Sequence, residues 1–414
     1  MVKKLLILFI FFSFITKPIG GVDSTNPILS RLTFSDVFGA LAIVFGLKYF
    51  FISLIEKNKI NRFYKTSLTM VVCMFLVIPF SLNMQATTIE AMIILFLIIV
   101  SVLIFATFKN ELTQTLFPVI INTAIVAAAL GFYDIIASTV GLPRIFDARS
   151  DGEVISGFRN GGQAGSYFMI IITILLPLKY SKMKEYLSLK YQKRLNVALI
   201  LSIIFLITTG KVAAYAGTAI GMILLFLQQR NFKSIFLMII VSTFLYVGFL
   251  NLNSISPILY KRLNSKIQTR VVQNYDGTSK STFLKDNYSA ALKAFEDNPL
   301  TGSGIGGFYG NYSHHEVHST PLKMIGEGGL IITVVYILFM ISFMSFFRVT
   351  NNNNPYQNYL QIMLPFIIGC IISWGYTYHL RKREFWILIA TVVIVKYSVR
   401  KWKNKSNKMT IYER

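Results

Sequence analysis

Charge is scarce in this chain, and negative charge most of all. Only 14% of its 414 residues are Asp, Glu, Lys or Arg, against roughly a quarter in a soluble globular domain. There are 18 acidic residues against 41 basic ones, for a net charge of +23. The excess invites a nucleic-acid reading. The basic residues fall in short loops between apolar stretches, however, where membrane topology accounts for them. Cysteine is also scarce: Cys73 and Cys370 both lie inside apolar stretches. Their spacing suits neither a metal site nor a disulfide, and they read as packing residues. No internal repeat is evident, and the one low-complexity tract is Asn351 to Asn354.

What the chain has in abundance is hydrophobic surface, at 54% of residues and a mean hydropathy of +0.57. Window after window runs close to the ~20 apolar residues that cross a hydrocarbon core. The reading is an all-α polytopic membrane protein with about twelve transmembrane helices. The spans are placed at 4–20, 36–55, 66–84, 89–107, 114–138, 162–178, 195–210, 212–228, 233–250, 322–347, 358–379 and 384–399. The first resembles a signal peptide, with Lys3-Lys4 before an apolar run. Lys17-Pro18 stands where a small-residue cleavage site would be expected, which favours an uncleaved first span.

Orientation follows the loops. Lys57, Lys59, Arg62 and Lys65 follow the second span, six basic residues from Lys179 to Arg194 follow the sixth, and Arg230 and Lys233 follow the eighth. Arg400, Lys401, Lys403, Lys405 and Lys408 lie in the C-terminal tail. All fall on one side, which the positive-inside rule makes cytoplasmic. Residues 379–384, reading HLRKRE, break that rule. Either the last hairpin is misplaced, or those charges attract anionic lipid or substrate.

Three regions result: 1–250, carrying the first nine spans; a large external loop at 251–321; and 322–414, with the last three spans and a basic tail. A loop of that length is usually functional or disordered. This one carries its own order, because Leu284, Tyr288, Ala291, Leu292 and Phe295 recur at helical spacing. Asp297-Asn298-Pro299 stops that amphipathic helix.

Chemistry concentrates directly after it, from Asn298 to Leu330. Three of the four histidines, His314, His315 and His318, lie here with a dense run of glycines that includes Gly302 and Gly304. His318 precedes Ser319-Thr320-Pro321, an N-cap followed by proline at the start of a helix. His318 is thereby expected at the mouth of a span, beside backbone N–H groups that favour an anion. There it suits a general base or a cation facing phosphate, although an exposed loop histidine is the plainer alternative. The three histidines with Glu316 are loose evidence for metal, because zinc sites need a closed ligand set. Glu327 lies nine residues beyond His318, about 13 Å along a helix, so the two cannot share a hydrogen bond. A carboxylate in such a span is either functional or paired, for example with a buried lysine. The run from Gly302 to Gly307 formally spells GxGxxG, but it follows a helix and a proline rather than a strand, so a tight turn with close backbone approach is the better account. Lys211, between two apolar spans, either snorkels or faces a polar cavity. Arg159, ahead of the sixth span, is either a loop arginine or a phosphate contact.

The order of these features resembles the bacterial O-antigen ligase and O-antigen polymerase superfamily. An external helix leads into Asn298-Pro299-Leu300 and Gly302-Ser303-Gly304, then His318-Ser319-Thr320-Pro321-Leu322, then Glu327 and Gly329-Leu330-Ile331. Thr209-Gly210-Lys211 looks like the family's T-G-S-R motif, and Gly157-Phe158-Arg159-Asn160 like its R-x-x-G-x-F-x-N-P-N segment. The chain departs from the pattern at Ser319, where the family has Asn, and at Lys211, where it has Arg. The family's loop arginine near the aromatic of the external helix is missing, and Lys280 and Lys285 are the nearest basic residues to Tyr288.

The resemblance implies a metal-independent glycosyltransferase without cofactors, acting on glycans carried by undecaprenyl pyrophosphate at the outer face of the bacterial inner membrane. His318 and Glu327 are the catalytic candidates. Arg159, Lys211, Lys285, His314 and His315 are the candidates for the pyrophosphate. The expected partners are the lipid-linked donor, a glycan acceptor, the membrane and a chain-length regulator, with no nucleic acid. A polysaccharide polymerase is favoured over an O-antigen ligase, because the ligase-like basic motifs are altered to Lys. A lipid-linked sugar transporter is the rival from another class; neither internal repeats nor broken midplane helices are evident for it.

Overall fold

In a computed structural model the chain folds as a helical bundle. The structure describes residues 1–19, 32–55, 59–146, 157–229, 260, 264, 281–314, 316–348 and 354–412. In chain order the helices are α1 (Val2–Phe11), α2 (Phe34–Ile55), α3 (Lys59–Val77), α4 (Met84–Phe108), α5 (Phe117–Val140) and α6 (Gly161–Tyr180). They continue with α7 (Leu189–Thr208), α8 (Val212–Gln229), α9 (Ser281–Asp297), α10 (Thr320–Met344), α11 (Pro355–Trp374) and α12 (Arg383–Tyr412). The described residues contain no strand, and eight of the helices are long and apolar enough to cross a membrane. The architecture is that of an all-α polytopic membrane protein. The expected span at 233–250 lies outside the described residues.

The helix starts follow local chemistry. The Asn160 side chain accepts from Gln163 N at 2.9 Å and caps α6. Ser319 accepts from Leu322 N at 3.4 Å and caps α10, with Pro321 in the first turn as its sequence predicts. Asn354 caps α11 ahead of Pro355. The first helix is shorter than expected. It passes into a 3-10 turn ending at Phe14, after which Ile15 is extended. Thr16 N and Lys17 N then bond to Gly157 O, at 2.9 and 3.2 Å, and Pro18 has no N–H to continue a helix.

The core centres on α12. Phe385 to Ala390 and Val392 to Val395 are all buried, with Leu97, Ile98 and Phe105 of α4, Ile170 and Ile174 of α6 and Phe366 and Ile367 of α11 in the same cluster. Small residues allow α8 and α11 to touch backbone to backbone: a Cβ at Gly369 would lie 2.0 Å from Gly217 O. Close approach at small residues is how membrane helices gain packing contacts. Conversely, α2 and α10 leave Val44, Phe45, Ile55, Ile337 and Ile341 exposed, the surface that a lipid phase covers.

The bundle has two ends. At one, Lys3 pairs with Glu111, Lys401 Nζ donates to Asn110 Oδ1 at 3.1 Å, and Asn354 Nδ2 donates to Val399 O at 3.3 Å. At the other, the starts of α4, α6, α10 and α12 meet the loop 375–382, and here the polar chemistry gathers.

Candidate active site

The glycine run and the broken helix α10 form one unit. At Gly329 the backbone leaves helical geometry, with φ 60° and ψ −166°, a conformation open to glycine. The break frees backbone groups, and residues 299–303 satisfy them. Leu330 N donates to Pro299 O at 2.8 Å, Ile331 N to Leu300 O at 3.2 Å, and Ser303 N to Gly326 O at 3.1 Å. Gly302, at φ 64°, lies against the break so closely that a Cβ would sit 2.5 Å from the Glu327 carbonyl carbon. On its other side the run meets the start of α4: Leu82 N donates to Ser303 O at 3.0 Å, and a Cβ on Gly304 would strike Ser81 Oγ. The run is a backbone-contact turn, as the sequence predicts.

Glu327 lies in this break. It is 1% exposed and takes Lys323 Nζ at 2.7–2.8 Å, and it also accepts from Gly306 N. Lys323, likewise buried, sits 4.8 Å above the Tyr378 ring. Of the two alternatives open for this carboxylate, the structure places it in the paired arrangement.

The segment leading to His318 folds back on α9. Phe308 and Val317 pack with Ala291 and Ala294 of that helix, Phe308 stacks on Tyr312 at 5.9 Å, and Tyr312 Oη donates to Asp297 Oδ2 at 2.8 Å. Val317 is buried and His318, next to it, is exposed at the mouth of α10. His314 is exposed too, His315 lies outside the described residues, and the side chain of Lys285 on α9 is likewise not described.

Arg159 and Lys211 come to the first turn of α6. Arg159 N donates to Thr16 Oγ1 at 2.8 Å, which fixes the residue beside the Asn160 cap. Lys211 follows the turn between α7 and α8 and lies along the same turn, its Nζ 3.5 Å from where a Gly162 Cβ would be. The absence of side chains at Gly162 and Gly165 is what admits it: a Cβ on Gly165 would be 2.6 Å from Lys211 Cβ.

The loop 375–382 joins these two regions, and sequence reasoning assigned it no site residue. Arg381 holds Glu316 by both nitrogens, at 2.6 and 3.4 Å, and Glu90 of α4 at 3.1 Å. Arg383 pairs with Asp36 of α2. Lys382 Nζ donates to Ser166 Oγ on α6 at 2.5 Å. His379 Nδ1 lies 2.8 Å from Thr320 Oγ1, whose single proton goes to Thr377 O at 2.7 Å. Nδ1 is therefore the protonated ring nitrogen. Its ring stacks on Trp374 at 3.9 Å, and burial together with Lys382 holds its pKa well below the usual histidine range. Burial, then Lys211 and Arg381, also lower Lys382 to about 8, against an opposing pull from Glu384. The basic loop thus lies at the same end as His318, with its Arg381 and the adjoining Arg383 of α12 matched by carboxylates on α2, α4 and the His318 segment. The signal for it in the sequence was its breach of the positive-inside rule.

The O-antigen ligase family model matches residues 197–337, from within α7 to within α10. That match, over about a third of the chain, supports the resemblance to the O-antigen ligase/polymerase superfamily. No curated protein sequence matches the chain. The matched stretch contains Lys211, the glycine run, His318 and Glu327, while Arg159 and the loop 375–382 lie outside it. The superfamily match therefore bears on the middle of the chain, and the flanking helices bring further cations to the same end. Among the described residues, no three His, Cys, Asp or Glu side chains are grouped to hold a metal ion.

Proposed function

We propose that this chain is a polysaccharide polymerase of that superfamily. It transfers a growing glycan from a polyprenyl pyrophosphate to the sugar end of a lipid-linked repeat, at the outer face of the inner membrane. The observation that carries this reading is the placement of Arg159 beside the Asn160 cap of α6 and of Lys211 Nζ against Gly162, at the same end of the bundle as His318.

Basic residues beside a helix N-terminus suit the charge of a diphosphate leaving group. In the proposed reaction the acceptor hydroxyl attacks the anomeric carbon of the donor. The bond from that carbon to the diphosphate oxygen breaks, and the lipid diphosphate leaves with the electron pair. His318 takes the proton of the hydroxyl. Its exposure at the mouth of α10 leaves it open to an acceptor. Glu327, enclosed by Lys323 and Gly306, acts by holding the glycine run in place and thus positions the His318 segment. Lys285, His314 and His315 complete the donor side in this scheme, no step is routed through a metal, and a chain-length regulator sets the product length. Transfer to lipid A–core, as in an O-antigen ligase, uses the same donor and is the alternative reading.

The test is a deletion strain complemented with wild type or His318→Ala, with glycans and lipid-linked intermediates resolved by gel and mass spectrometry. Polymerase loss leaves single repeats on the normal acceptor. Long chains stranded on the lipid carrier would instead identify a ligase. His318→Ala behaving as wild type at a normal expression level would remove His318 from the chemistry under either name.

A further inference from the structure

We propose that His379, on the loop between α11 and α12, is a positioning residue for the transfer reaction: it fixes the start of α10 and, through it, His318. This rests on the reading of His318 as the base given above.

The loop 375–382 grips the His318 segment on both sides. Two residues before His318, Glu316 is held by Arg381 at 2.6 Å. Two residues after it, Thr320 is held by His379. The buried Thr320 hydroxyl donates to Thr377 O at 2.7 Å and accepts from His379 Nδ1 at 2.8 Å and from His379 N at 3.3 Å. Its one proton and both lone pairs are thereby used, and residues 377–379 close around it. Between the two grips, Val317 packs with Ala291 and Ala294 of α9, and Ser319 caps α10. The backbone of His318 is therefore held from both directions while its side chain stays exposed.

The His379 ring is itself fixed. It stacks on Trp374 of α11 at 3.9 Å, meets Phe385 of α12 edge-on at 4.4 Å and is buried. Such aromatic contacts set the orientation of a ring as well as adding stability. Its Nε2 makes no hydrogen bond to any described residue, so the directional contact of the ring is the Nδ1 proton on Thr320. The packing and the N–H are two separable properties of this one side chain. The packing joins α11 to α12, and the N–H carries that corner to the start of α10. A base displaced by about 1 Å loses about a hundredfold in rate, so the N–H bears on turnover in a way that the packing alone does not.

The experiment uses the full chain in detergent micelles, supplied with the lipid-linked glycans that the deletion strain accumulates, and measures kcat, KM and the thermal unfolding midpoint. His379→Phe keeps the stacking and removes the N–H. His379→Asn removes the stacking and keeps an N–H on the nitrogen bonded to Cγ, where Nδ1 stands in histidine. His379→Phe is expected to lower kcat by about tenfold to a hundredfold with KM unchanged. His379→Asn is expected to be the less stable of the two and the faster. Turnover and stability then rank in opposite orders, which a merely structural role does not produce. Wild-type kcat in His379→Phe, a His379→Asn no faster than His379→Phe, or a loss confined to KM overturns the proposal. If either variant does not fold, Thr320→Ser and Thr320→Val decide: the serine hydroxyl is expected to keep turnover and valine to lose it, and equal turnover overturns the proposal. His318→Ala is measured beside them. Loss of turnover there, with wild-type kcat in His379→Phe, overturns this proposal alone. Wild-type turnover in His318→Ala overturns the base reading and this proposal together.

Discussion

At the scale of single residues, the buried pair Lys323–Glu327 dominates this end of the bundle. Both side chains are out of solvent, and removing one partner of such a pair costs about 3–5 kcal/mol, because the other charge is left uncompensated. Glu327→Gln is expected to lower the thermal unfolding midpoint in detergent sharply. Adding Lys323→Met to it should recover part of the loss, giving a double-mutant coupling of about 1–3 kcal/mol; strictly additive losses would show that the two do not act as a pair. Gly302→Ala is expected to destabilise for a separate reason. Its positive φ alone costs about 1–2 kcal/mol, and the new methyl would press on the Glu327 backbone. A wild-type unfolding midpoint for that variant would contradict the packing. The turn role of the glycine run was legible because GxGxxG after a helix and a proline rules out the dinucleotide reading. What the run turns against was not legible, because a break in α10 at Gly329 leaves no mark on hydropathy.

At the scale of elements, most helices were legible because about twenty apolar residues leave few alternatives. The start of α10 was legible through Ser319 with Pro321, whereas the Asn160 cap of α6 was not read from the sequence. The amphipathic α9 was readable from the spacing of Leu284, Tyr288, Ala291, Leu292 and Phe295, and it ends at Asp297 as expected. The loop 375–382 was not. Counting charges marked HLRKRE as an anomaly, but its explanation lies in Glu90, Glu316 and Asp36, which are scattered along the sequence and meet the loop only in three dimensions. Arg381 ties α4 to the His318 segment through Glu90 and Glu316, which makes it a positioning residue. Arg381→Ala is expected to reduce turnover by about tenfold to a hundredfold through misplacement of His318. Arg381→Lys should rescue only part, since lysine cannot hold Glu316 by two nitrogens. The donor KM should change less than kcat, because the diphosphate cations are on other residues. A change confined to KM would place Arg381 in donor binding instead.

At the scale of the whole molecule, the two ends of the bundle differ in how their charge is held. Asn110 and Glu111, neighbours between α4 and α5, bond Lys401 and Lys3 respectively, so the residues near both termini share one end. That agrees with the even number of crossings read from the loops. His318, Arg159 and the loop 375–382 lie at the other end, where the arginines are matched by carboxylates. In the proposed reading the end that carries the termini lies in the cytoplasm, as the positive-inside rule reads it, and the chemistry faces the exterior. Cysteine labelling tests this in a Cys73→Ser, Cys370→Ser background. Tyr309, 61% exposed, stands near His318 in the chain, and Lys403, exposed on α12, stands near the opposite end. A membrane-impermeant maleimide is expected to label Tyr309→Cys in intact cells and Lys403→Cys only after permeabilisation. The opposite pattern would turn His318 toward the cytoplasm, and a transferase acting at the outer face could not then use it. Labelling of both sites in intact cells would put an even number of crossings between them, in conflict with their lying at opposite ends of the bundle.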